Sequence, residues 1–166
     1  MELAKRKPNR LKNFDYDREG AYFITICTQD RKCLLSRIVG GGALDAPDNL
    51  LTIFGEIVEK YILSGNRIER VTVANYVIMP NHVHLLLMVD RNTSGTSRAP
   101  SPTNAVIPHF VSTFKRFCHS EIGMKIFQRS YHDHVIRNEQ DYLKILEYIE
   151  NNPKQWELDC FYVKEE

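Results

Sequence analysis

Residues 76–89 of the chain read YVIMPNHVHLLLMV. Two runs of Val, Ile, Leu and Met flank Pro80-Asn81, a pair suited to a turn. The simplest fold for such a segment is an antiparallel hairpin of RVTVANYVIM and HVHLLLMV. Leu85, Leu86 and Leu87 make the second run apolar on both parities, which predicts a central strand covered on both faces. His82 and His84 interrupt that pattern at i and i+2, so both imidazoles share one face, about 7 Å apart at the backbone. A buried ring nitrogen left unpaired costs about 1–3 kcal/mol, so something polar must meet the pair.

The rest of the chain supplies elements to surround that hairpin. Residues 21–29, AYFITICTQ, read as a strand, with residues 32–39 as its hairpin partner and the glycine-rich residues 40–49 as a loop. Leu51, Phe54, Ile57, Val58, Tyr61 and Ile62 recur at helical steps, ending near Gly65. Residues 91–103 are rich in Ser, Pro and Gly and read as a flexible loop. A second helix is expected from Asn104 to about Gly123 and a strand over 130–137. A last helix follows over 138–152, capped by Asn138 and stopped by Pro153. Mixed strands and helices with antiparallel hairpins predict an α+β, ferredoxin-like sandwich: a mostly antiparallel sheet with helices packed on it.

At 166 residues and 43% apolar composition, the chain fits a single domain over 1–166. Lys and Arg (22) balance Asp and Glu (21), so total charge does not announce a nucleic-acid binder. The distribution says more, because a basic arm over about 1–19 carries Lys5, Arg6, Lys7, Arg10 and Lys12. No apolar run is long enough to span a bilayer and no secretion signal opens the chain, which predicts a cytoplasmic protein. Cys27, Cys33, Cys118 and Cys160 lack metal-ligand spacing and read as small, mostly buried apolar residues in a reducing compartment.

Two places depart from what packing requires. One is the H-x-H pair, which can hold a divalent metal but needs a third ligand; a second H-x-H, His132 and His134 around Asp133, is available, whereas His109 and His119 read as structural. The other is the last helix, whose apolar stripe is Tyr142, Ile145, Leu146 and Ile149. Tyr148 lies roughly 110° from the centre of that stripe, on the same edge as Asn152 one turn later. Taken alone, Tyr148 reads as a boundary tyrosine at the rim of the core, and Tyr76, Tyr131 and Tyr142 as core or strand residues.

MPNHVHLLL, then FKRF, FQRSYHDHVIRN and YIENNP, resemble the REP-associated tyrosine transposases, within the single-tyrosine HUH transposases. The likeness runs from about Gly20 to Pro153. It implies a ferredoxin-like catalytic domain whose C-terminal helix carries the tyrosine nucleophile, Tyr148. His82 and His84 become ligands of Mg²⁺ or Mn²⁺, and Asn152 falls where that class places a third ligand, often Gln. The implied reaction is metal-dependent cleavage and strand transfer of single-stranded or hairpin DNA formed by palindromic repeats, through a 5′-phosphotyrosine. The acting species is a monomer or a homodimer. Lys115 and Arg116 on the second helix join the arm as candidate phosphate contacts. Two other readings remain: a domesticated DNA-binding regulator of the same fold without catalysis, and a small metal-dependent hydrolase or dioxygenase using the H-x-H pair.

Overall fold

The computed structural model describes residues 16, 18–40, 47–91 and 105–163. The expected arm cations Lys5, Arg6, Lys7, Arg10 and Lys12, and nearly all of the loop expected over 91–103, lie outside these residues. The strands are β1 (Gly20–Cys27), β2 (Ser36–Val39), β3 (Asp48–Leu51), β4 (Val71–Met79), β5 (His82–Val89) and β6 (His132–Ile136). Three helices separate or follow them: α1 (Ile53–Ser64), α2 (Val106–Ile122) and α3 (Glu139–Asn151).

The main sheet has the order β4-β5-β1-β6 and is antiparallel throughout. With α1 between β3 and β4 and α2 between β5 and β6, this is the ferredoxin-like arrangement that the element pattern predicts. The hairpin at Pro80-Asn81 forms as expected, and β5 lies between β4 and β1, buried on both faces.

Strand alternation divides the sheet's side chains between two layers. Tyr22, Ile24 and Ile26 of β1 and Val83, Leu85, Leu87 and Val89 of β5 enter the larger core with α1 and α2. From α1 that core takes Val58 and Ile62, and from α2 it takes Ile107, Phe110, Val111, Phe114 and Cys118. The opposite face carries Phe23, Val77, Met79 and Leu86, and α3 closes it with Tyr142, Ile145, Leu146 and Ile149, the stripe its periodicity marks out. His82 and His84 have the parity of Leu86, so they look toward α3.

Local signals explain the helix limits. Thr52 caps α1, its hydroxyl accepting from the Gly55 N–H at 3.2 Å, and Asn138 caps α3 by accepting from the Asp141 N–H at 2.9 Å. At the end of α2, Gly123 adopts φ 80°, the left-handed conformation that a C-terminal glycine permits.

One expectation fails. Residues 32–39 do not pair with β1; β2 pairs instead with β3, in a separate two-stranded ribbon. Both edges of β1 are taken by β5 and β6, and the turn after β1 carries Asp30 and Arg31 at φ 55° and 54°, which sends the chain away from the sheet. The loop expected over 40–49 ends early, because Asp48 and Asn49 already belong to β3. The ribbon docks on the end of β4, where the Ser36 hydroxyl and the Asn49 amide both donate to the Ile78 carbonyl, at 3.0 and 2.8 Å. A carbonyl at the sheet's edge is thereby satisfied.

The ribbon meets α1 at Gly55, where an added Cβ would overlap the Leu35 backbone carbonyl. Gly55→Ala is expected to lose about 1–3 kcal/mol, as overpacking does, although alanine is the better helix former. A denaturant midpoint equal to or above the wild type would show that the ribbon can shift freely.

Candidate active site

Four elements converge on the α3 face of β5. His82 and His84 are 0% and 1% exposed, with their Nε2 atoms 2.9 Å apart. Each ring is held from behind. The His84 Nδ1 lies 2.8 Å from the hydroxyl of Thr25, its register partner on β1, and the His82 Nδ1 lies 2.8 Å from the Asn81 Oδ1. The Asn81 amide cannot be turned round, because its Nδ2 donates to the carbonyls of Phe161 and Arg31, at 2.7 and 3.3 Å. Its oxygen therefore faces His82, the His82 Nδ1 carries the proton, and the Nε2 lone pair points into the site. Phe23 stacks on His84, ring centres 5.0 Å apart, and fixes its plane from the side.

Burial holds both imidazoles neutral. The His82 pKa falls to about 4, desolvation outweighing the nearby Asp159, and that of His84 lies well below the ordinary value, lowered by burial and then by His82. His82 thus presents an Nε2 lone pair, the form in which histidine binds a metal, and the His84 Nε2–H donates to it at 2.9 Å; His84 takes the same form when its proton sits on Nδ1, facing the Thr25 hydroxyl.

Helix α3 brings Tyr148 and Asn152 to the pair on one flank. The Tyr148 hydroxyl lies 3.3 Å from the His84 Nε2 and donates to the Asp159 Oδ2 at 3.1 Å. The Asn152 Nδ2 donates to the same carboxylate oxygen at 2.9 Å, while its Oδ1 is buried without a partner. Burial, then the charge of Asp159, raises the Tyr148 pKa above its ordinary value, so the phenol stays protonated at neutral pH.

Asp159 is the residue that the sequence did not disclose. It follows the 3-10 turn Asn152–Leu158, its side chain is 1% exposed, and its Oδ2 stands 4.0 Å from the His82 Nε2. His82, His84 and Asp159 place one ligand atom each within 4.8 Å of one another. Asn152 turns its Nδ2, not its unpartnered Oδ1, toward that carboxylate, so His82, His84 and Asp159 are the donors that the geometry brings together as a candidate cation site. Beyond Asp159, Phe161 covers the pair with its ring centre 4.7 Å from that of His82, and Trp156 stands at 6.0 Å.

The alternative third ligands do not arrive. Asp133 faces the other layer and accepts from the Tyr16 hydroxyl at 2.6 Å, while His134 is paired with Asp141 at 2.8 Å. His119 is structural, its Nε2 accepting from the Phe127 N–H. The two helical cations separate. Arg116 is exposed beside the Phe117 ring, whereas Lys115 is 8% exposed and its ammonium donates to the carbonyls of Gln128, Arg129 and Ser130. With its donors occupied there, and its pKa lowered to about 8 by burial, Lys115 ties β6's approach to α2 and is not a phosphate contact.

This fold has known counterparts. The family model described as transposase IS200 like matches residues 48–152, which cover β3 through the end of α3 and hold His82, His84, Tyr148 and Asn152. The chain belongs to the IS200-like transposases, enzymes that cut and rejoin DNA strands. It is also 33% identical to an uncharacterized protein of Haemophilus influenzae, over 97% of this chain and 95% of that protein. Its fold is similar to a solved structure of a REP-associated tyrosine transposase bound to a REP hairpin. The TM-score there is 0.59 at 20% identity, covering 87% of this chain and 73% of the other. No helix among the described residues is long and apolar enough to cross a membrane.

The buried imidazoles make stability depend on pH. An unfolded imidazole takes a proton below about pH 6.5, whereas the folded His82 does so only near 4, so the unfolded chain binds more protons within that window. Stability should be full above about pH 6.5 and decline as the pH falls toward 4. Denaturant midpoints that stay flat between pH 7 and 5 would mean that the pair is not held neutral.

Proposed function

We propose that the chain cleaves and rejoins single-stranded, hairpin-forming repeat DNA, with Tyr148 as nucleophile and His82 and His84 as metal ligands. The observation that carries this reading is the meeting of the Tyr148 hydroxyl with the His84 Nε2, at 3.3 Å, over a buried H-x-H pair whose rings are held from behind. A hydrolase or dioxygenase would have no use for a tyrosine at that position. The similar structure's own REP hairpin supports hairpin DNA as the substrate.

The chain's residues divide the work. The Tyr148 oxygen attacks the scissile phosphorus, a phosphotyrosine bond forms as the 3′-oxygen leaves, and the strand's 5′ end stays on the protein. The phenol proton is already directed at the Asp159 Oδ2 and passes to that carboxylate as the O–P bond forms, while the leaving 3′-oxygen takes a proton from solvent. A divalent cation bound by His82, His84 and the carbonyl oxygen of Asn152, with Asp159 alongside, would polarise the phosphate and offset charge growing on its oxygens. Asn81 and Thr25 keep both ring nitrogens aimed at that position. Arg116 and the arm cations Lys5, Arg6, Lys7, Arg10 and Lys12 hold phosphates without reading sequence, so binding weakens as salt rises.

One observation favours a second reading, a DNA-binding regulator without catalysis. The histidines lie beneath Phe161, and a phosphate reaches them only if the segment after Asp159 moves.

Covalent trapping separates the two. With labelled single-stranded hairpins and Mn²⁺, wild type should form a denaturant-resistant adduct. Tyr148→Phe should form none while binding hairpins within a few fold, and His82→Ala and His84→Ala should each lose metal-dependent cleavage. Binding by wild type without an adduct would establish the regulator instead.

The third ligand has its own test. Asn152→Ala should slow cleavage and raise the Mn²⁺ concentration needed at nearly unchanged hairpin affinity, because it removes a donor from the site. A Mn²⁺ titration that overlays the wild type would leave Asp159 as the third ligand.

A further inference from the structure

Phe161 stands among groups that stack on flat rings. Its ring centre lies 4.7 Å from that of His82, 6.2 Å from that of His84 and 6.4 Å from that of His132, and the Arg31 guanidinium carbon lies 5.3 Å over it. The four come from separate parts of the fold: β5, the start of β6 and the turn after β1. Together they line a slot for one planar ring. Phe161 fills that slot from a turn outside every strand and helix.

The segment that carries the ring is lightly tied. Asp159 is anchored, since its carboxylate accepts from Tyr148 and Asn152. Beyond it, among the described residues, the Phe161 carbonyl accepts from the Asn81 Nδ2 at 2.7 Å and the Cys160 carbonyl from the Arg31 Nη1 at 3.4 Å. The Phe161 N–H bonds only within its own segment, to the Asp159 Oδ1 at 2.7 Å. Residues past Asp159 can therefore withdraw while the site behind them stays assembled, and a phosphate can then reach the histidine pair. Withdrawal alone would leave the face of His82 to water. A ring supplied by the substrate restores the contact, and imidazole and guanidinium planes are the groups on which proteins stack the unpaired bases of single strands. Stacking uses the face of an imidazole and metal binding its edge, so His82 can serve both.

We propose that the Phe161 slot is a stacking subsite for the unpaired nucleobase next to the phosphate attacked by Tyr148, and that Phe161 holds the place of that base when no DNA is bound. This role presupposes that the site acts on single-stranded DNA through Tyr148. A ring face is common to all four bases, so the subsite positions the strand without selecting its sequence.

The test measures hairpin affinity at equilibrium with Mn²⁺ in the Tyr148→Phe protein, with a single abasic site stepped through the unpaired flank. When Phe161→Ala is added, one abasic position should weaken binding about tenfold, the size of effect one stacked base supplies, while the four bases there bind within about threefold of one another. With Phe161 retained the same abasic site should cost less, because an entering base must first displace the ring. No sensitive position, or a loss of equal size with and without Phe161, would overturn the proposal and leave Phe161 a simple cover. Photolysis of 5-iodouracil at each flank position in turn needs no change at Phe161. One position should cross-link to His82, His84 or His132, and cross-links that avoid all three would overturn the proposal as well. Wild-type protein trapped covalently in parallel should carry the sensitive position beside its linked phosphate. A Phe161-dependent loss without any covalent product would uphold the slot and reject the nucleophile. Covalent product without such a loss would do the reverse.

Discussion

The antiparallel pairing of β5 with β4 on one side and β1 on the other decides which layer each of its side chains meets. In a strand buried on both faces a polar residue cannot escape to solvent, so His82 and His84 are committed to whatever α3 and the following turn bring. Thr25 and Asn81 take up the outer ring nitrogens, and what remains is two Nε2 atoms 2.9 Å apart, converging on one point.

The second half of the site depends on the first through packing. Ile149 is 2% exposed against Val77, Met79 and Leu86, and it sits between Tyr148 and Asn152 along α3. Burying that one side chain sets the helix rotation that carries the phenol to His84 and the amide toward Asp159. The buried Asn152 oxygen without a partner is an energetic cost of about 1–3 kcal/mol that the fold carries.

Much of this is legible in the chain itself, for physical reasons that differ from place to place. The hairpin and α3 read clearly because alternation, periodicity and an Asn138 cap all agree there. The β2–β3 ribbon does not, since its strands are four residues long and Asp48-Asn49 are poor strand formers, held instead by the contact of Asn49 with the Ile78 carbonyl. Lys115 shows the limit of reading by residue type. By helical count it stands about 40° from Val111 and about 60° from Cys118, on the buried side of α2, and the loop over 128–130 folds over it and captures the ammonium. Asp159 escaped because nothing periodic links it to Tyr148, eleven residues earlier across Pro153 and a 3-10 turn.

The claim at the centre of this account is that the phenol packed against the histidine pair is the group that takes the DNA strand. Mass spectrometry of the trapped adduct, after nuclease and protease digestion, addresses it directly. The account predicts a single modified peptide, with a nucleotide phosphate on Tyr148 linked through its 5′ end. A phosphate found on Tyr142, Tyr131 or Tyr162, or a 3′ linkage, would contradict it.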